Sequence, residues 1–257
     1  SNMKEAKSTK YLGNLVTSRG GVRDTVEDRR SKGWGKVATI KGILSEVDLG
    51  NHRVQVGLIL RKAILVNSLL FTAEAWSGVR EADLVRLEQV DLALLRSLVS
   101  GHSKCATEFA HLETGTLKLR HILTRNRLMY YHHILQKEKT ETLRRIYEKQ
   151  KTDYTKGDWF QLLLKDFEFI EETLDEENIQ KMSKIHYKKK INDLVKKAAF
   201  KYLSKQKEGH TKVKNLVYHD LKIQPYLTSQ LFNNEERNLI YSLRSMCHPA
   251  KQTFHKM

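Results

Sequence analysis

Carboxylates, histidines and cysteines hold metals and move protons, and in this chain they stand in no pattern that does either. A two-metal polymerase or nuclease centre needs converging carboxylates, yet no Asp-Asp pair occurs in the 257 residues. Gly33-Trp34-Gly35-Lys36 lacks the spacing of a phosphate-cradling loop. No His-Glu-x-x-His and no Cys-x-x-Cys pair occurs either. Cys247, His248 and His255 form half a zinc set at most, because zinc takes four ligands at compatible spacings. They read as ordinary surface residues near a chain end. The 11 histidines, His132-His133 among them, suit helix surfaces better than a metal. The sequence predicts no catalytic residue, no metal site and no cofactor. A cryptic Mg²⁺-dependent nuclease is the enzyme reading left to compare.

Lysine and arginine offer the other chemistry, neutralisation of phosphate. A net charge of +16 favours a polyanionic partner, nucleic acid first and an anionic membrane surface second. Three clusters stand out. Lys181, Lys184 and Lys188, and again Lys197, Lys201 and Lys205, recur at spacings that share helical faces. Such a face neutralises successive phosphates without reading sequence. Arg29, Arg30, Lys32 and Lys36 flank Gly33 and Gly35, where the missing side chains admit either a nucleic-acid backbone or a second helix. Arg120, Arg125 and Arg127 stand beside Tyr130 and Tyr131, a mixture suited to phosphate contact and base stacking, or to a core.

These residues need elements to position them. With only Pro225 and Pro249 to interrupt helices, the chain reads as mostly α. Residues 8–18 carry the one strand signal, followed by an Arg19-Gly20-Gly21 turn. Helical spacing predicts α-helices from about Asp24 to Glu46, from Val54 to Phe71, and on Leu84, Leu87, Val90, Asp91, Leu94, Leu95 and Leu98. Asp48-Leu49-Gly50-Asn51 breaks the first two apart. Further helices are predicted over Leu117–Leu135 and from Trp159 through Phe167 and Ile170. Asn233 and Glu236 suit a capping box for a short helix through Leu239, Ile240 and Leu243. An acidic block (166–177) precedes a basic one (181–214), whose stripe of Ile185, Ile191, Leu194, Val195, Ala198 and Tyr202 marks a packed helix rather than a loose tail.

The fold expected is a helical bundle over 22–137 with a short N-terminal β-hairpin (4–21) and a second helical, Lys-rich region over 138–257; residues 1–3 read as an expression scar. The best apolar run, Leu58–Phe71, is interrupted by Arg61, Lys62 and Asn67, short of the roughly 20 residues a span needs, so no membrane partner is expected. Two cysteines make no disulfide framework, which suits an intracellular protein.

From Lys10 to Leu135 the order of short motifs resembles the region after the polymerase core of non-LTR (LINE-type) retrotransposon reverse transcriptases. The motifs are Lys10-Tyr11-Leu12-Gly13, Arg30-Ser31-Lys32-Gly33, Leu69-Leu70-Phe71 with Glu74 and Trp76, Leu87-Glu88-x-Val90-Asp91, and Leu112-Glu113-Thr114-Gly115. The resemblance implies a thumb and following linker, with Tyr11, Leu12 and Gly13 in a primer-grip-like hairpin. It implies duplex contacts at Arg30, Lys32, Gly33 and Lys36, an RNA, RNA/DNA or DNA partner, the rest of a parent polymerase, and a nuclear location. Fingers, palm and metal-binding aspartates have no counterpart here, so the segment is expected to bind without catalysing. A scaffold using the acidic and basic blocks for protein partners is the alternative.

Overall fold

Most of the described residues are helical. The computed structural model describes residues 8–11, 14–17, 22–99, 105–155 and 157–246, with backbone alone before Val22 and at Asn51. Strands β1 (Ser8–Tyr11) and β2 (Asn14–Thr17) pair antiparallel, Ser8 opposite Thr17 and Tyr11 opposite Asn14. Leu12, Gly13, the Arg19-Gly20-Gly21 turn, Ser103-Lys104, and Cys247, His248 and His255 lie outside the described residues.

Helix α1 (Arg23–Glu46) buries Val26, Val37, Ile40 and Leu44, while Ile43 is 37% exposed. A Cβ at Gly35 would meet nothing within 4 Å, so packing does not demand that glycine. The predicted Val54–Phe71 helix is three consecutive pieces: α2 (Arg53–Leu60), a π-helical turn (Arg61–Val66) and α3 (Asn67–Leu69). Helix α4 (Glu81–Leu98) buries Leu87, Val90, Asp91, Leu94, Leu95 and Leu98 as its spacing predicts. Helix α5 (Thr107–Thr114) ends at Gly115 with φ +62°, the left-handed conformation glycine tolerates. There follow α6 (Leu119–Leu135), α7 (Thr142–Thr152), α8 (Trp159–Phe169), α9 (Glu176–Lys181), α10 (Lys184–Glu208) and α11 (Asn234–Arg244). The side chain of Asp175 caps α9, and Asn233 and Glu236 form the capping box that starts α11. Among the described residues no helix is long and apolar enough to cross a membrane.

Contacts divide the chain into two units, each drawn from three stretches. The first takes Ser1–Lys32, Ser68–Leu87 and Leu119–Val195, and the second Gly33–Asn67, Glu88–Lys118 and Lys196–Met257. In the first unit α6 is central and packs against α7, α8, α9 and the 3-10 turn Ala73–Ala75. Its Tyr131 ring lies 5.6 Å from Tyr147 and 5.8 Å from Phe167. The Trp159 indole donates to the Glu74 carbonyl at 2.7 Å, which ties the Glu74-Ala75-Trp76 motif to the start of α8. In the second unit Val54, Val99, Phe109, Val213, Leu227 and Tyr241 form one apolar cluster. Burying each such side chain stabilises by about 1.5–3 kcal/mol.

The stripe of α10 differs from the one expected. Ile185 is 80% exposed, and the buried positions are Tyr187, Ile191, Val195, Ala199 and Leu203, every fourth residue. Each such step advances the stripe by about 40°, so it winds about the helix instead of running straight.

Candidate nucleic-acid interface

In the second unit, the half of α10 that follows Val195 carries Lys197, Lys201 and Lys205, all exposed, at spacings of four. At 3.6 residues per turn they lie about 120–160° from the buried Ala199 and Leu203, and they span about 12 Å along the axis. The buried stripe anchors the helix and leaves the ladder facing solvent. Lys207 is different. It is 6% exposed, its ammonium donates to the Lys214 and Leu216 carbonyls, and burial pulls its pKa down. It staples the chain after α10 and is no phosphate contact.

The first unit holds Lys181, Lys184 and Lys188. Lys181 ends α9 and bonds to Glu177 at 2.6 Å, whereas Lys184 opens α10, so the trio does not share one helix. Lys184 and Lys188 flank the buried side of α10, within about 80° of it. The acidic block is spent on local structure. Glu172 pairs with Lys190 at 2.7 Å, Asp175 caps α9, and Glu176 takes Lys151 and the Tyr147 hydroxyl. Burial alone would raise the Glu176 carboxyl, but Lys151, Tyr147 and Arg144 hold it below its usual range. Among the described residues no carboxylate pairs with Lys184, Lys188, Lys197 or Lys205.

The arginines expected at the surface of α1 and α6 are partly internal. Arg29 is 4% exposed, donates to the Ser68 carbonyl at 2.9 Å, and has its pKa lowered by burial. Arg30 pairs with Glu27 at 2.7 Å and Lys32 with Asp28. Gly33 is buried and Lys36 exposed. Arg120 pairs with Glu81 at 2.6 Å, and Arg125 is half-buried, donates to Asn126, and is lowered by desolvation. Arg127 is buried against Asp166 at 2.6 Å, and Tyr131 is core. Arg29 and Arg127 are corrected from candidate contacts to internal ties, because a guanidinium out of water must find its acceptor inside the fold.

Two polar hubs whose pairings the sequence did not indicate belong to the second unit. Arg61 donates two bonds of 2.6 Å to Asp91 and a third, at 3.0 Å, to the Leu117 carbonyl. Glu113 is fully buried and accepts from the Tyr218 and Tyr226 hydroxyls at 2.5 Å each, and from Arg244 at 2.7 Å. Burial, then the Glu113 charge, pushes both tyrosines up; burial works against the Arg244 charge, and Glu113 more than offsets it. The partners of Glu113 lie more than a hundred residues downstream, a separation no local spacing reveals. A cavity of about 480 Å³ is lined by Arg96, Cys105, Glu108, His210 and Lys212, with Glu108 held 3.0 Å from both Lys118 and His210. Cys105 is buried with its sulfur 3.6 Å from the Tyr241 hydroxyl, as part of the core.

Of the sequence-predicted contacts, the ladder of Lys197, Lys201 and Lys205 is the set that one element of one unit brings together facing solvent. Comparisons of this chain with protein-family models, curated proteins and solved structures find no match.

Proposed function

We propose that the chain is a non-catalytic nucleic-acid-binding segment that grips a strand or duplex through its phosphates. The observation that carries this reading is the outward ladder of Lys197, Lys201 and Lys205, backed by buried Ala199 and Leu203. Point charges at one-turn intervals on a packed helix suit a repeating anion better than a single acidic partner. The motif order from Lys10 to Leu135 supports the finer proposal of a thumb and linker of a LINE-type reverse transcriptase. In that proposal β1 and β2 form the primer-grip-like hairpin, and the partners are the parent polymerase and a nuclear template–primer.

Salt titration of binding to an RNA/DNA duplex tests it. Replacing Lys197, Lys201 and Lys205 with alanine should cut the slope of log affinity against log salt by roughly 2–3. An unchanged slope would sink the ladder as the interface. A second reading, a protein-interaction module, is favoured by α11, where Leu239 and Leu243 fall on one face and are 46% and 54% exposed. Under that reading light scattering gives a defined oligomer that Leu243→Glu dissolves, and the lysine substitutions leave it intact.

A further inference from the structure

A smaller cavity in the second unit, about 140 Å³, has a lining of unusual chemistry. Its polar groups are Arg53, at the start of α2, and Asn234, Arg237 and Asn238 on α11, over an apolar floor that includes Val54 and Leu227. No described carboxylate lines it. Glu235 and Glu236, beside it in sequence, are exposed and absent from the lining, and Glu236 is turned back to the Asn233 backbone. Arg237 is 2% exposed. Its Nη1 donates to Asn234 Oδ1 at 3.2 Å and its Nη2 to the Ser229 carbonyl at 2.5 Å, while its Nε is buried with no hydrogen-bond partner. Arg53 commits Nη1 to the Leu44 carbonyl. A guanidinium carries five N–H donors, so both arginines retain capacity beyond these bonds. The Asn234 oxygen is occupied by Arg237, which leaves its amide N–H groups to donate.

We infer that this cavity is a phosphate-group site, in which Arg53, Arg237 and the two asparagine amides receive the oxygens of one tetrahedral anion. Three features select an anion. Every polar group named has donors to spend, a buried donor without an acceptor is costly, and the apolar floor lowers the local dielectric so that each charge counts for more. The small volume selects a single group over a base or a sugar. The phosphate is supplied either as a free anion or as the end of a nucleic-acid strand. The site is separate from the lysine ladder and stands whether or not that ladder binds nucleic acid.

Calorimetric titration of inorganic phosphate into the full chain at low ionic strength tests it. The wild type should give a saturable, one-to-one heat. Asn238→Asp, nearly isosteric but anionic, should abolish it, and Arg53→Gln should weaken it about tenfold; thermal melts verify that each variant folds. If Asn238→Asp fails to fold, Arg53→Gln decides alone. Phosphate binding should persist when Lys197, Lys201 and Lys205 are alanine, which separates this site from adsorption on the ladder. Competition by a 5′-phosphorylated oligoribonucleotide, and none by its 5′-hydroxyl counterpart, assigns the source to a strand end. Phosphate binding without such competition assigns it to the free anion. Absence of saturable phosphate binding, or equal binding by wild type and Asn238→Asp, overturns the inference.

Discussion

Arg61 and Asp91 show how far charge on a basic chain can be from its surface. Both are at most 5% exposed and meet through two bonds of 2.6 Å. Removing one partner strands the other out of water, so Arg61→Met should cost about 3–5 kcal/mol, read as a drop in the urea midpoint. Adding Asp91→Leu to Arg61→Met should recover most of the loss, since a matched apolar pair leaves no buried charge. The sequence showed Asp91 inside a motif and Arg61 as a break in an apolar run, but not that they pair, because their thirty-residue separation obeys no helical spacing. The same holds for Arg127 with Asp166 and for Glu113 with Arg244: residue type announces a charge, and only the fold supplies the acceptor. Exposed lysines at spacings of four were legible because a single helix decides them.

At the scale of elements, long periodic helices were legible and short or bent ones were not. The extents of α1 and α6 and the start of α8 follow the apolar spacing, and the capping box starts α11 where Asn233 and Glu236 predict. Helix α7 has few apolar residues, chiefly Leu143, Ile146 and Tyr147, amid lysines and arginines, and offers little apolar signal. Ile185 falls outside the inward face of α10 because it stands six residues, about 120°, from Ile191 and off the every-fourth stripe. The Leu112-Glu113-Thr114-Gly115 corner is legible in hindsight as a left-handed turn held against a distant strand-like segment. Thr114 bridges Ile223, and the Gln224 N–H donates to the Glu113 carbonyl at 2.8 Å. A Cβ at Gly115 would lie 2.3 Å from the backbone of both Ile223 and Lys222, at φ +62°. Gly115→Ala should therefore destabilise by at least about 2 kcal/mol, checked by chemical denaturation. Gly35→Ala, where space is open inside a helix, should stabilise by a few tenths to about 1 kcal/mol.

At the scale of the whole molecule, acid should destabilise each of the two units. Burial raises and ion pairing lowers Glu108 in the second unit, and the net is a carboxyl held below its usual range by Lys118 and His210. Glu176 in the first unit is likewise held low. For each, the folded pKa lies below the unfolded value of about 4.3, so its contribution is complete above that pH and is lost as pH falls through the folded pKa. Asp166 opposes them: burial raises it despite Arg127 and Thr124, and its contribution is lost as pH rises through the folded value. With Glu108, Glu176 and Asp158 lowered against Asp166 raised, melting temperature should be level from pH 6 to 8 and fall below about pH 4. A thermal series by circular dichroism reads this directly, and a melting temperature that rises on acidification would reverse the sign.

The partition into two units also bears on how the chain is made. Each unit gathers three stretches, and the last stretch of the first ends at Val195, while the second still needs residues beyond it. A ribosome releasing this sequence from its N-terminal end would hold both units incomplete until most of it has emerged. The first unit is complete in sequence once Val195 has emerged, so it can close ahead of the second. Until then the apolar faces of both cores stand open together, which makes the stretch of synthesis before Val195 the one most exposed to aggregation.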